Sequence, residues 1–130
     1  MPRHSFDYAI VRVVPRVERG EQINVGVILH CRTLDFLAVR IALSRPRILA
    51  LAPDIDLEAV EAALAVMCRI GSGDATAGAI ARLSSAERFH WLVAPRSTIV
   101  QTSPVHSGLC DDPNLALDRL LETMVLPPGA

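Results

Sequence analysis

Histidine and cysteine are typical ligands of a structural zinc ion, and the chain contains four histidines and three cysteines. Two pairs that lie close in the sequence attract attention: His30 with Cys31, and His106 with Cys110. Imidazole nitrogens and thiolates are the ligands that Zn²⁺ takes in structural sites. In an extended strand, however, His30 and Cys31 point to opposite faces, and the His106-x3-Cys110 spacing alone is a weak zinc signature. The sequence therefore predicts no metal site, and its odd number of cysteines, three, predicts free thiols.

Nucleophilic catalysis is the second chemistry that the residue types allow. Cys110 follows His106 and precedes Asp111, which are the residue types of a cysteine nucleophile and its base. Sequence neighbours rarely form such a triad, because the base has to reach the sulfur across a folded pocket. The chain has no G-x-S-x-G turn, and no GxxxxGK or GxGxxG loop that would hold phosphates. These observations predict a protein without catalytic residues and without a cofactor.

Arginine is the only basic residue of the chain. The 13 arginines face 14 acidic residues, so the net charge is −1 and no overall field attracts nucleic acid or an anionic membrane. Without lysine, Schiff-base chemistry is excluded, whereas each guanidinium is a planar donor suited to carboxylate or phosphate. No apolar run reaches the roughly 20 residues of a membrane span, and no signal-peptide core follows Met1–Ser5. We therefore expect a cytoplasmic protein that binds neither nucleic acid nor membrane.

The elements that position these polar side chains are predicted to be strands in the first half of the chain. Alternating and β-branched residues predict strands over Phe6–Val14, Gln22–Cys31 and Phe36–Leu43. Their short links favour an antiparallel meander. A fourth strand is predicted over Ser97–Val105, where Pro104 indicates an edge position or a strand end.

Helical spacing and capping residues follow in the middle and at the end. The predicted helices are one capped by Asp54 or Asp56 and ended by Gly71, a short piece after Asp74, one from the capping box Ser84-Ser85-Ala86-Glu87 to Leu92, and a last one from Asp112-Pro113 to Pro127. Strands first, helices later and one late strand are typical of an α+β fold. We predict a single domain over 1–130, ordered over about 6–126, in two layers: an antiparallel sheet of about four strands packed by three to four helices.

One face of the predicted meander mixes apolar and polar side chains. If the all-apolar faces pack on helices, the opposite face carries Tyr8, Ile10, Arg12, Asn24, Gly26, Ile28, His30, Phe36, Ala38 and Arg40. This face is either partly covered by the later helices or a binding surface. If the late strand pairs with the same sheet, six residues meet at one rim as a site for an anion or a partner: Arg16, Arg19, Asn24, Arg96, Gln101 and His106. The alternative is that Arg19 and Arg96 pair with carboxylates of their own chain.

Two segments resemble a known family when they are taken together. They are Arg19-Gly20-Glu21-x2-Asn24-Val25-Gly26-Val27 and Pro95-Arg96-Ser97-Thr98-x2-Gln101-x-Ser103-Pro104-Val105-His106. In these the chain resembles the uncharacterised bacterial domain-of-unknown-function family numbered 3037, over about Phe6–Val125. The resemblance implies a small stand-alone protein for which no catalytic residue is established. Genes of the family often lie beside genes for HipA-like kinase-fold proteins, which implies a partner role in a regulatory pair.

Two classes of function follow from these observations. The first is a non-catalytic interaction or regulatory protein, either a homodimer or the small partner of a larger protein such as a HipA-like kinase-fold protein encoded by a neighbouring gene. A mean hydropathy of +0.34 and the exposed edge near Pro104 favour it. The alternative is a small enzyme or ligand-binding domain acting on a phosphate-bearing molecule or nucleotide, supported by the arginine, histidine and amide side chains. We predict the first, because the chain shows no acid–base pair and no metal set.

Overall fold

The computed structural model describes residues 3–96 and 98–128 of the chain. Its strands are β1 (His4–Val13), β2 (Ile23–Cys31), β3 (Phe36–Ile41), β4 (Val100–Thr102) and β5 (His106–Cys110). Its α-helices are α1 (Arg45–Leu51), α2 (Leu57–Ser72), α3 (Ser85–Val93) and α4 (Pro113–Leu120), and α4 continues as a π-helix over Leu121–Val125. This composition confirms the predicted α+β class. Within the described ranges, no helix is long and apolar enough to cross a membrane.

The sheet is antiparallel, with β1 at its centre. The first three strands form the expected meander in the spatial order β3-β2-β1. On the other side of β1 lie two strands end to end: β4 is opposite Val11–Val13, and β5 is opposite His4–Tyr8. The predicted fourth strand is therefore only partly right. Its middle forms β4, its first residue Ser97 lies outside the described residues, and a fifth strand follows it.

A β-bulge at Val25 changes which side chains of β2 share a face. Val11 is opposite Gly26 and Arg12 is opposite Asn24, so that Val25 is an extra residue on β2. Such a residue breaks the strict alternation of a strand. The sequence analysis places Gly26, Ile28 and His30 on the mixed polar face, and this is wrong for all three. Gly26 is the register partner of Val11 and of Ile41, and both pack in the core under α2 and α3. Ile28 belongs to the core under α2 and α3, and the His30 ring stacks on Phe89 of α3 at 5.1 Å between centroids.

Helices cover both faces of the sheet. We call the side packed by α1, α2 and α3 the first face; its core includes Val11, Val25 and Ile28 from the strands and Ile48, Leu64 and Phe89 from the helices. The second face is packed by α4 and its π-helical extension, and its core includes Phe6, Ile10, Val27, Leu29, Leu117 and Val125. The predicted two-layer arrangement accounts for the sheet and for α1 to α3. The last helix lies on the opposite side of the sheet, because its apolar side chains pack on the second face. That helix lies mainly over β2. At the β4–β5 edge of the second face, Gln101 is partly buried and His106 is exposed.

Candidate functional site

Three of the six predicted site residues lie on the second face of the sheet. Gln101 and Asn24 are the register partners of Arg12, one on each side of it, so that Gln101, Arg12 and Asn24 form a row across β4, β1 and β2. His106 is the register partner of Tyr8, which lies further along the same face of β1. Because residues at i and i+4 of a strand share a face, this row and this pair belong to one surface. We call the five residues the open polar surface.

Arg12 is the charged group of the open polar surface. Its side chain is partly buried, and its Nε is buried without a hydrogen-bond partner in the described ranges. The five ion pairs found among the described residues do not include it. Buried polar groups are nearly always hydrogen-bonded in native proteins, and an unsatisfied one calls for an explanation. The guanidinium is therefore the group of this surface whose Nε finds no acceptor among the described residues.

The two amides that flank Arg12 are fixed by main-chain carbonyl groups. The Gln101 side-chain amide donates to the carbonyl oxygen of Thr98 at 2.9 Å, and that of Asn24 donates to the carbonyl oxygen of Met124 at 2.9 Å. The second bond attaches β2 to the end of the π-helix. Hydrogen bonds of this kind hold side chains in one orientation, which is what a preorganised site requires.

Tyr8 and His106 form the aromatic part of the surface. Their ring centroids are 5.5 Å apart with an interplanar angle of 38°, and Tyr8 also contacts the Phe6 ring at 5.9 Å. The Tyr8 side chain is partly buried, whereas His106 is exposed on the edge strand. Aromatic pairs at such distances attract each other, so Tyr8 is held between the Phe6 and His106 rings.

Arg16 and Arg19 lie elsewhere, at a cleft between the loop that follows β1 and the turn before α2. The cleft has a volume of about 680 Å³, and its walls include Val17, Ile55 and Ile99. Arg16 lies 3.8 Å from Glu18, and Arg19 forms an ion pair with Glu21, which raises the pKa of Arg19 and lowers that of Glu21. Both arginines are thus engaged by acidic side chains of their own loop.

Arg96 is engaged by the helix that precedes it. Its guanidinium carbon lies 4.7 Å from the centroid of the Trp91 ring, and Nη2 donates to the Trp91 carbonyl oxygen at 2.7 Å. This cation–π contact and hydrogen bond close the end of α3. Of the six predicted residues, the structure thus brings together Asn24, Gln101 and His106, and ligand binding by any of the six stays a prediction.

The histidines and cysteines are distributed over both faces. His30 contacts Phe89 on the first face, while Cys31 and Cys110 belong to the core of the second face. All three cysteines are free thiols, and burial raises the pKa of Cys68 and of Cys110. In the ranges that the structure describes, no group of three or more His, Cys, Asp or Glu side chains is placed to hold a metal ion.

His30 is a buried histidine whose charge the fold opposes. Only 7% of it is exposed, its Nε2 has no hydrogen-bond partner in the described ranges, and burial lowers its pKa below the ordinary 6.5. Asp7 raises the pKa and His90 lowers it, but both effects are smaller than that of burial. The neutral ring is therefore the form that packs on Phe89.

The pH dependence of stability follows from this shift. Between the lowered pKa of the folded state and the ordinary value of 6.5, the unfolded chain binds more protons than the folded one. The contribution of His30 is thus complete above pH 6.5, and it is lost as the pH falls toward the folded-state pKa. Urea unfolding at several pH values between 5 and 7 should show the loss, roughly in this range. The His30→Leu variant should lack it, whereas the exposed His106→Gln control should keep it, because His106 has no part in the shift. An equal slope in both variants would contradict the assignment.

Arg12 and Tyr8 are the members of the open polar surface that the predicted site omits. Both stand on the mixed face in the sequence pattern, but a single strand cannot show which neighbours its side chains meet. The feature that identifies the open polar surface is a cation with an amide at each of its register positions. The sequence does not show this feature, because the register is defined only in the folded sheet.

The comparisons with known proteins concern nearly the whole chain. A family model described as "Protein of unknown function (DUF3037)" matches residues 8–125, which include every residue of the open polar surface. Neither the curated proteins nor the solved structures contain a match.

Proposed function

The chain belongs to the DUF3037 family, as the two sequence segments indicated, and we propose that it is a non-catalytic interaction protein that forms a symmetric dimer through the free edge of β5. The observation that carries this proposal is the state of that edge. Within the described ranges β5 pairs with β1 alone, and its other side has no strand partner.

The backbone groups on the free edge can be assigned from the ladder. The carbonyl oxygen of Ile10 accepts the amide of Ser103 at 2.8 Å, so every second residue of β1, counted from Ile10, turns its backbone groups toward β4 and β5. Their register partners on β5 are His106, Gly108 and Cys110. The amide and carbonyl groups of Ser107 and Leu109 therefore point away from the sheet, where a further strand would bind them.

The side chains of β5 do not protect this edge. Natural edge strands avoid pairing through charged residues, proline or bulges. The strand from His106 to Cys110 contains no proline, lysine, arginine, aspartate or glutamate, and Leu109 is 62% exposed. Just before the strand, Val105 is 44% exposed. An edge with these features favours strand pairing.

A second copy of the chain fits the edge by symmetry. If two β5 strands pair antiparallel about Gly108, Ser107 of one copy lies opposite Leu109 of the other, and these are the two residues with outward backbone groups. The two-fold axis then passes beside Gly108, which has no side chain, and no like charges meet across it. The pairing extends the five-stranded sheet into one continuous ten-stranded sheet.

Light scattering tests the dimer directly. At high micromolar concentration we expect a mass twice the 14.1 kDa of one chain. Leu109→Lys places a charge on the edge and should weaken dimerisation at least tenfold, roughly the effect of 1.4 kcal/mol. Leu115→Lys is the matched control, because Leu115 is similarly exposed, at 55%, but lies on α4. A monomeric wild-type protein, or a Leu109→Lys variant that dimerises like the control, would overturn the proposal.

A further inference from the structure

We propose that the cleft between the loop after β1 and the turn before α2 binds a basic peptide segment of a partner protein. The segment places an arginine or lysine side chain beside Asp54 and aliphatic side chains on the apolar walls of the cleft. This inference goes beyond the proposed dimer and is independent of it. The cleft lies past the end of β1, whereas β5 pairs with the first half of that strand.

The walls of the cleft present apolar side chains that the chain itself does not cover. Val17 on the loop is 48% exposed, and Ile99, which precedes β4, is 40% exposed. Ile55, on the wall formed by the turn, is partly buried. The cleft volume of about 680 Å³ is within the range of ligand-binding clefts, roughly 300–1,000 Å³. Exposed aliphatic side chains that gather in one concave surface are typical of binding sites, in contrast to those that are scattered singly.

Hydrogen bonds within the chain hold both walls in place. In the loop, the amides of Arg19 and Gly20 donate to the carbonyl oxygen of Arg16 at 3.1 and 3.2 Å. Gly20 has a φ of +72°, a left-handed conformation that glycine adopts without strain. In the turn, the Ile55 amide donates to the Ala52 carbonyl oxygen at 3.2 Å. The cleft is therefore formed before a ligand arrives, which lowers the entropic cost of binding.

The charges of the cleft determine the sign of the ligand. Two arginines and four acidic residues line it, so its net charge is −2. Both arginines form ion pairs with glutamates of their own loop, which leaves the two aspartates of the turn, Asp54 and Asp56. Asp56 caps α2 by accepting the Ala59 amide at 3.1 Å, so the positive end of that helix already has its anion. Asp54 is exposed and belongs to none of the ion pairs found among the described residues. The cleft therefore favours a cation, with Asp54 as its partner.

The open shape of the cleft favours a protein segment over a small free cation. A small-molecule site typically buries roughly 70–90% of the surface of its ligand. Val17 and Ile99, in contrast, each leave more than a third of their own surface to solvent. A single exposed charge pair contributes little to binding, so affinity requires apolar contacts along the walls as well. A peptide that combines a basic side chain with aliphatic neighbours supplies both kinds of contact.

NMR titration of the isotope-labelled full chain tests the cleft, with capped tripeptides as probes. The first probe has arginine between two leucines, and in the second an uncharged citrulline of nearly the same shape replaces the arginine. We expect the arginine peptide to bind at least threefold more tightly, the effect of one exposed charge pair. The amide signals that shift should include those of Val17, Gly20 and Ile55. Methylguanidinium, a third probe, should bind at least tenfold more weakly than the arginine peptide, because it does not reach the apolar walls.

Two variants with matched controls separate the charge from the apolar contact. Asp54→Asn should bring the affinities of the two peptides within twofold of each other. Asp111→Asn removes an exposed carboxylate outside the cleft and should preserve the preference for arginine. Val17→Ala should weaken both peptides at least twofold, whereas Val66→Ala, which shortens a similarly exposed valine on α2, should leave both affinities unchanged. All four positions are exposed, and circular dichroism establishes that each variant folds.

The absence of binding at millimolar concentrations of the arginine peptide would overturn the proposal. Equal affinities of the arginine and citrulline peptides for the wild-type protein would do the same, and so would an Asp54→Asn variant that behaves like Asp111→Asn. Methylguanidinium that binds as tightly as the peptide would indicate a site for a small cation instead of a protein segment. Tighter binding of a tripeptide with a central glutamate would reverse the sign of the site. A monomeric wild-type protein would refute the dimer and leave this result unaffected.

Discussion

Replacing Gly26 by valine is expected to lower the free energy of unfolding by about 1–3 kcal/mol, at the upper end of that range. A Cβ at this position would lie 2.5 Å from Cδ1 of Ile41 and 2.6 Å from the carbonyl oxygen of Arg40. The Ile41 side chain has some freedom to move. The Arg40 carbonyl has little, because it belongs to the backbone of β3, which pairs with β2 along its whole length.

The same geometry predicts how the loss divides between substituents. The collision with the Arg40 carbonyl involves Cβ, so Gly26→Ala should already produce most of the loss, and the two further methyl groups of valine should add the strain against Ile41. Ser5→Val is the control, because Ser5 is exposed on β1 and should change stability by less than about 0.5 kcal/mol. Urea unfolding and the melting temperature, which falls by roughly 4 °C per kcal/mol, give the measurement. An unchanged melting temperature in Gly26→Val would show that the space above Gly26 is open.

The helices of the first face could be predicted because their signals are local. Asp56 accepts the amide of Ala59 and Ser84 accepts that of Glu87, as the capping pattern predicts, and Asp112 does the same for Asn114 at the start of α4. Each cap involves residues two or three positions apart, so the sequence contains all the information it needs. The sequence does not predict helix α1, although Ser44 caps it in the same way, because its seven residues contain one buried position, Ile48, and thus no apolar period.

The faces of the strands could be predicted only up to the bulge. Alternation along β2 is a correct signal between Val27 and Cys31, but Val25 shifts the count by one residue. Nothing local distinguishes a bulge from a regular strand in an apolar run, since its position is set by the partner strand. For this reason the alternation places Gly26, Ile28 and His30 on the wrong face, but Asn24, Phe36 and Ala38 on the correct one.

The candidate site, like the fold, has one part that the sequence could predict and one part that it could not. The ion pair of Arg19 with Glu21 is a contact between residues two positions apart, and the sequence analysis names this kind of pairing as the alternative to a shared site. The row of Gln101, Arg12 and Asn24 depends on two strand registers and spans 89 positions of the chain from Arg12 to Gln101. Long-range register of this kind is fixed by the whole sheet and is absent from any single segment.

The second large effect on stability is expected for Ser103, which lies where the edge of the sheet divides into β4 and β5. Pro104 has no amide to donate, and the ladder beside β1 is interrupted at this point. The buried Ser103 closes the interruption in two ways: its amide donates to the Ile10 carbonyl at 2.8 Å, and its hydroxyl accepts the Ile10 amide at 2.8 Å. The same hydroxyl donates to the Pro104 carbonyl at 2.8 Å. One side chain thus replaces the ladder bond that the strand break removes.

Ser103→Ala should therefore lower the free energy of unfolding by about 1–3 kcal/mol, because the Ile10 amide is left buried without an acceptor. Ser107→Ala is the matched control: it also removes a serine hydroxyl bond on this edge, to Asp7 at 2.6 Å, but in an exposed position where water replaces the partner. Urea unfolding of both variants gives the difference, and hydrogen exchange locates it, since the Ile10 amide should exchange faster in Ser103→Ala alone. Equal losses in the two variants, or an Ile10 amide that exchanges as in the wild type, would show that the hydroxyl does not close the ladder. The interruption between β4 and β5 would then be due to Pro104 itself, whose fixed backbone would separate the two strands without a contribution from Ser103.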